Sequence, residues 1–223
     1  MEENLRLLRS SFPGFVEMVR GKKVCDFGCG YGNQVAVLSA YGCDAVGIEA
    51  NPSTLNAARK NCVGLKVSFS ETVSNDMLGT FDVVISQNSM EHFDDPEKTL
   101  WDMVSLLKPG GILLITFGPP WFSPWGSHMH FFLPIPWVNI LLPERLVMWI
   151  RSFFRNDGAC RYEECESGLN KMTVARFESI IKPFGVKMLR HKCVKGLSML
   201  SKLPLVRELF INNCSAVLAP SPE

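Results

Sequence analysis

KKVCDFGCGYG (22–32) places a β-rich run, one acid and three alternating glycines within eleven residues. Val24, Cys25 and Phe27 suit a buried strand, and Gly28, Gly30 and Gly32 suit a turn whose backbone angles other residues resist. Asn33 to Tyr41 then reads as a helix, with Val35, Leu38 and Ser39 on one side. Working outward, the pattern repeats. CDAVGIEA (43–50) is a second strand, Pro52 opens a helix through Asn61, and LKVSFS (65–70) is a third strand. FDVVIS (81–86) is a fourth, followed by a helix from Asp95-Pro96 to Leu107. Gly110-Gly111 turns the chain into GILLITF (111–117), the fifth. Further on, Thr173 is a plausible N-cap for a helix to Lys182, ended by Pro183 and Gly185. VKMLRHKCV (186–194) is a sixth strand, Pro204 opens a helix through Phe210, and CSAVLAP (214–220) is a last strand. Continuous Val/Ile/Leu strands separated by helices predict an α/β, Rossmann-like three-layer sandwich, with a mostly parallel sheet covered on both faces. The economical organisation is one domain over 1–223, with 119–170 inserted after strand 5.

Ligands of open parallel sheets bind at the carboxyl ends of the strands, near the switch in strand order. Asp26 precedes the glycine turn, and Glu49 follows Gly32 by seventeen residues at the end of the second strand. A carboxylate at that second position can accept hydrogen bonds from a ribose diol. The dinucleotide pattern G-x-G-x-x-G is not met, because the third glycine comes one position early and Asn33 occupies its place. Asp26 would oppose a pyrophosphate and favour a cation. A ligand with a ribose and a positive end therefore fits better than a nicotinamide dinucleotide.

At these residues the chain resembles the class I S-adenosylmethionine-dependent methyltransferases. DFGCGYG (26–32) matches that family's first motif and GIEANP (47–52) its acidic second; FDVVISQNSMEHF (81–93) and LLKPGGILLITF (106–117) continue the likeness. The resemblance implies a seven-stranded sheet with an antiparallel last strand, and S-adenosylmethionine as cofactor, leaving as S-adenosylhomocysteine. It implies that Asp26, Gly28, Cys29 and Gly30 line the aminocarboxypropyl end, and that Glu49 holds the ribose with Ala50 and Asn51 beside the adenine. It also puts Ser70, Glu71 and Thr72 near the adenine amine, Gln87 and Asn88 close to the sulfonium, and His92 as a shaper of the pocket.

Composition narrows the acceptor. Lys+Arg is 23 and Asp+Glu 22, a net charge of +1 with no basic stripe, which argues against nucleic acid as a partner. Charged residues make up 20% of the chain against roughly 25% in ordinary domains. The deficit is local: no Asp, Glu, Lys or Arg lies between Pro109 and Pro143, a window holding three of the five Trp. Eight scattered Cys without a CxxC pair read as core thiols of a reducing compartment. With neither a signal-peptide core nor an apolar run of spanning length, the expectation is a cytoplasmic protein. Leu5, Leu8, Phe12 and Phe15 recur at the spacing of a short amphipathic helix.

Methyl transfer to oxygen benefits from a base, and His is the natural one. His191 falls inside the sixth strand, where packing is its expected role. His128 and His130 in PWGSHMHFF (124–132) follow strand 5, and His130 is preferred because it leads into the apolar FFLPIPW. No acid in the window completes a metal site with them. The Pro- and Trp-rich window reads as a cap over a small apolar acceptor. In PERLVMWIRSFFR (143–155) Glu144, Arg151 and Arg155 share one helical face, opposite Leu146, Trp149, Ile150, Phe153 and Phe154. That apolar arc is expected to pack on the domain; a substrate lid, a membrane-surface contact or a dimer contact are the other uses. A non-catalytic S-adenosylmethionine-binding module and a protein or RNA methyltransferase remain the rival functions.

Overall fold

The computed structural model describes residues 5–165, 168–197, 199–204 and 206–220. Its sheet comprises β1 (Lys23–Phe27), β2 (Asp44–Ile48), β3 (Val67–Ser70), β4 (Phe81–Gln87), β5 (Leu107–Phe117), β6 (Val186–Cys193) and β7 (Ile211–Leu218). Strand order is β3-β2-β1-β4-β5-β7-β6, and β7 runs antiparallel to both of its neighbours. The order reverses between β1 and β4, so the turn after β1 opens into the crevice that such sheets offer to ligands.

Side chains alternate across the sheet because successive Cβ atoms point to opposite faces. Cys25, Val84, Leu113 and Ile115 join Leu100, Met103, Phe177 and Phe184 in one buried cluster. Val24, Val83, Ile85 and Leu114 join Leu5, Leu8, Phe12, Val35 and Leu38 in another. Two apolar clusters on one sheet make the three layers. One face carries α5 (Pro96–Ser105) and α8 (Val174–Ile181); the other carries α1 (Arg6–Ser11), α2 (Phe15–Val19) and α3 (Asn33–Ala40), while α4 (Pro52–Asn61) lies beside β3. Asn51 Oδ1 accepts from the Ser53 and Thr54 amides to cap α4, and Thr173 Oγ1 accepts from the Arg176 amide to cap α8.

Four local expectations change. The N-terminal amphipathic helix is two short ones, because Pro13-Gly14 breaks it with Gly14 at φ 75°. Gly110-Gly111 lies inside β5 as an irregularity in its pairing with β4 rather than as a turn before it. A Cβ on Gly111 would come 3.0 Å from the carbonyls of Lys108 and Phe81, so only glycine lets the strands meet there. The helix expected from Pro204 to Phe210 is a single 3-10 turn, Arg207–Phe210, with residue 205 outside the described set.

The fourth change concerns α7 (Glu144–Ser152), which follows α6 (Val138–Leu141). It buries Val147, Met148 and Arg151 and leaves Leu146, Trp149 and the following Phe153 and Phe154 exposed, the reverse of the expected apolar contact. The cause is a bidentate ion pair: Arg151 Nη1 and Nη2 each lie 2.6 Å from the Asp157 carboxylate. Paired in this way, a guanidinium can be buried, and the rest of the helix rotates with it. Residues 119–170 contain their own apolar cluster, in which Met129, Val138, Val147, Met148, Tyr162 and Leu169 pack together. Among the described residues no helix is long and apolar enough to cross a membrane.

Candidate functional site

The β1 turn is built around its carboxylates. Gly28 N and Cys29 N both donate to the Ile48 carbonyl, which ties the turn to the end of β2. Glu49 then sits beside the loop: its Oε2 accepts from Gly30 N at 3.0 Å and its Oε1 from Asn51 N at 2.9 Å. Glu49 N donates to the Ser70 carbonyl, which brings the end of β3 alongside. Asp26 is 2% exposed, and its Oδ2 is buried without a hydrogen-bond partner. Burial, and then the charge of Glu49, push its carboxyl from 3.8 up to about 7. An orphaned, buried carboxylate beside a second acid fits a ligand that brings a positive nitrogen. Those residues therefore fit the amino end of S-adenosylmethionine.

Gly28, at φ 78°, is the one position where an added Cβ would strike the far wall, 2.8 Å from Ser89 Oγ. That contact links the loop to the end of β4. There Asn88 adopts φ 52°, donates its amide to the Thr116 carbonyl and turns the chain into Ser89. Gln87 Oε1 is buried without a partner. Glu91 is buried; its Oε1 accepts from Gly118 N at 3.1 Å, Oε2 has no partner, and burial raises its pKa. Ala50, Glu71 and Thr72 lie exposed on the rim.

The two candidate bases are separated by two residues and by environment. His128 has φ 56°, uncommon for a residue with a Cβ, and this turns its ring inward to meet His92 edge-on at 5.5 Å. Its Nε2 is buried without a partner, and burial together with the neighbouring His92 lowers its pKa from 6.5 to about 4. His92 is held by Nδ1, 2.8 Å from the Gly168 carbonyl, and its amide donates to Ser89. His130 is exposed, stacked on Phe131 at 4.0 Å. A cavity of about 280 Å³ extends from His92 and His128 between Phe131, Phe132, Leu169 and Arg155. His92 and His128 thus belong to one cavity and His130 does not. His191 packs in β6, with Nε2 3.1 Å from Glu178.

Sequence reasoning missed Ser89, Gly168 and Arg155. Gly168 meets His92 across seventy-six residues, a distance at which local spacing carries no signal. Ser89 was within reach, since it stands in the stretch FDVVISQNSMEHF (81–93) directly after Asn88.

A family model described as "Methyltransferase domain" matches residues 3–163. A ubiquinone biosynthesis O-methyltransferase of Methylococcus capsulatus is 32% identical over 115 residues, 49% of this chain and 48% of that protein. One of Cereibacter sphaeroides is 28% identical over 153 residues, 59% of each. The chain spans about half the length of the curated relatives it matches. Among solved structures, an S-adenosylmethionine-dependent methyltransferase from Mesorhizobium loti superposes with a TM-score of 0.60 at 13% identity, covering 96% of this chain and 95% of that one. Phosphoethanolamine N-methyltransferase 2 of Haemonchus contortus, solved with S-adenosyl-L-methionine, gives 0.60 at 16% identity over 99% of this chain and 53% of that one. At such identities the structures share the fold.

Proposed function

We propose that this chain, which belongs to the S-adenosylmethionine-dependent methyltransferase family, transfers a methyl group to an oxygen of a small, largely apolar acceptor. The observation that carries the reading is His128. It is a neutral imidazole at pH 7, with a buried, unpartnered Nε2, and it lines a cavity with His92, whose amide is tied to the Ser89 carbonyl at the end of β4. S-adenosylmethionine supplies an electrophilic methyl on a sulfonium; the protein's share is position and proton management.

Asp26 and the amides of the β1 turn hold the cofactor's amino-acid end, and Glu49 holds its ribose. Phe132 and Leu169 keep water from the acceptor and hold its hydroxyl toward His128. His128 Nε2 takes the hydroxyl proton as the oxygen attacks, and His92, fixed by Gly168, keeps the His128 ring in place. Relatives named ubiquinone biosynthesis O-methyltransferase support oxygen as the nucleophile.

Calorimetry with S-adenosylmethionine tests the cofactor site, and release of S-adenosylhomocysteine over a panel of apolar phenols and hydroxylated lipids tests turnover. His128→Ala is expected to lower kcat by about 10²–10⁴ on the acceptor that works, with cofactor affinity retained. Binding without turnover across the panel would favour a non-catalytic cofactor-binding module. Unchanged kcat in His128→Ala would remove the base assignment.

A further inference from the structure

Helix α7 keeps Arg151 inside and Arg145 and Trp149 outside. Trp149 is 59% exposed, Phe153 67% and Phe154 60%, and Leu141 at the end of α6 is 64%. The Trp149 and Phe153 rings meet at 4.8 Å, and large exposed apolar patches mark interaction surfaces. Arg145 lies one helical turn before Trp149, and the two line a groove of about 510 Å³ together with Arg155. Phe131, Phe132 and Arg155 also line the His92–His128 cavity. We propose that this face seats the protein on an anionic bilayer surface, with Trp149 and Phe153 at headgroup level and Arg145 and Arg155 on the lipid charges. Only the further step, that the cavity then opens toward lipid-dissolved acceptors, rests on the function proposed above.

Charge complementarity selects the occupant. The acids of this region that the structure describes are already engaged. Asp157 holds Arg151, Glu144 and Glu163 hold Lys171, and Glu164 accepts from the Cys160 and Arg161 amides. Arg145 and Arg155 have no carboxylate partner among the described residues. A second copy packed by two-fold symmetry would set these arginines against each other with no unengaged acid among the described residues of the region. Anionic headgroups supply what the face lacks, and Trp and Phe beside Arg are the side chains that settle at a membrane interface.

The test is co-sedimentation of the full chain with phosphatidylcholine vesicles, with and without phosphatidylglycerol, measured without any turnover. Binding is expected only with phosphatidylglycerol, and it should weaken at high salt. Arg145→Glu should lower the partition coefficient at least about 5-fold, the contribution of one basic residue near such a surface. Trp149→Ala with Phe153→Ala should lower it about 10-fold or more. Retained S-adenosylmethionine binding in each variant shows that it is folded and separates this proposal from the methyl-transfer reading. No sedimentation with anionic vesicles overturns the proposal, as does binding indifferent to these substitutions. A solution dimer that dissociates on Trp149→Ala would also overturn it, assigning the face to self-association.

Discussion

Asp26→Asn should make the empty protein more stable and the cofactor site worse, and the two effects can be measured apart. The Asp26 carboxyl ionises near 3.8 in the unfolded chain and near 7 in the fold, because burial and Glu49 disfavour its charge. A raised carboxyl pKa means that folding strength is lost as pH climbs from 3.8 through about 7. By pH 8 the cost is roughly 4 kcal/mol, of which about 2–3 kcal/mol accrues between pH 5 and pH 8. Asparagine keeps the shape and never ionises. The melting-temperature advantage of Asp26→Asn should therefore grow by about 5–10 °C between pH 5 and pH 8 in calorimetric scans without ligand. The same substitution removes the charged acceptor for the ligand's ammonium. A hydrogen bond to a charged group contributes about 1.5–3 kcal/mol, so S-adenosylmethionine should bind about 10- to 100-fold more weakly. A stability gap that stays flat with pH would show that Asp26 is not buried as an unpaired acid. Undiminished cofactor affinity would show that the ligand's cation goes elsewhere.

Gly28→Ala should cost about 1–2 kcal/mol in denaturant titration, since φ is 78° and the new Cβ meets Ser89 Oγ at 2.8 Å; adding Ser89→Ala should relieve the clash and leave the backbone strain. With its pKa lowered to about 4, His128 should keep kcat level down to about pH 5, while KM for the cofactor rises as pH falls through about 7 and Asp26 takes up a proton. An unfolded His titrates near 6.5, so His128 costs the fold nothing above that pH and destabilises it increasingly as pH falls from there toward 4. Asp157→Asn should lower the melting temperature and speed proteolysis within 150–165, because it strands Arg151. The Asp157 carboxyl is held well below 3.8, chiefly by Arg151, so the wild-type advantage is present above pH 4 and vanishes in acid.

The meeting of Asp26, the glycine turn and Glu49 was legible because its information is local. An acid, three glycines and a second acid seventeen residues on are adjacent in the chain, and parallel pairing of β1 and β2 places them adjacent in space. The choice between His128 and His130 was not legible. Their rings differ in environment because His128 adopts a left-handed backbone, and no composition rule announces that for a histidine. Helix α7 misled for a related reason. A helical wheel assigns arginine to solvent, whereas Asp157, six residues beyond Arg151 and outside the helix, makes its burial feasible. Neither a left-handed histidine nor an acid beyond the helix end is carried by composition or helical periodicity.

Charge is divided between the two ends of the site, and the division bears on which atom is methylated. Asp26 and Glu49 stand together at the β1 turn, the end proposed to receive a cationic cofactor. The cavity beyond His92 and His128 is lined, among the described residues, by aromatics, aliphatics, a thiol, two imidazoles and two arginines, with no carboxylate. An ammonium acceptor entering there would shed its water beside Arg155 and find no acid to replace it, a costly desolvation. It would also have to lose its proton before its nitrogen could attack. A phenol or enol would enter neutral, give its proton to an imidazole that burial keeps unprotonated, and pass through an oxyanion that a nearby guanidinium would favour. The uncharged window and the arginines that follow it thus act in the same direction: they support an apolar acceptor that reacts through oxygen.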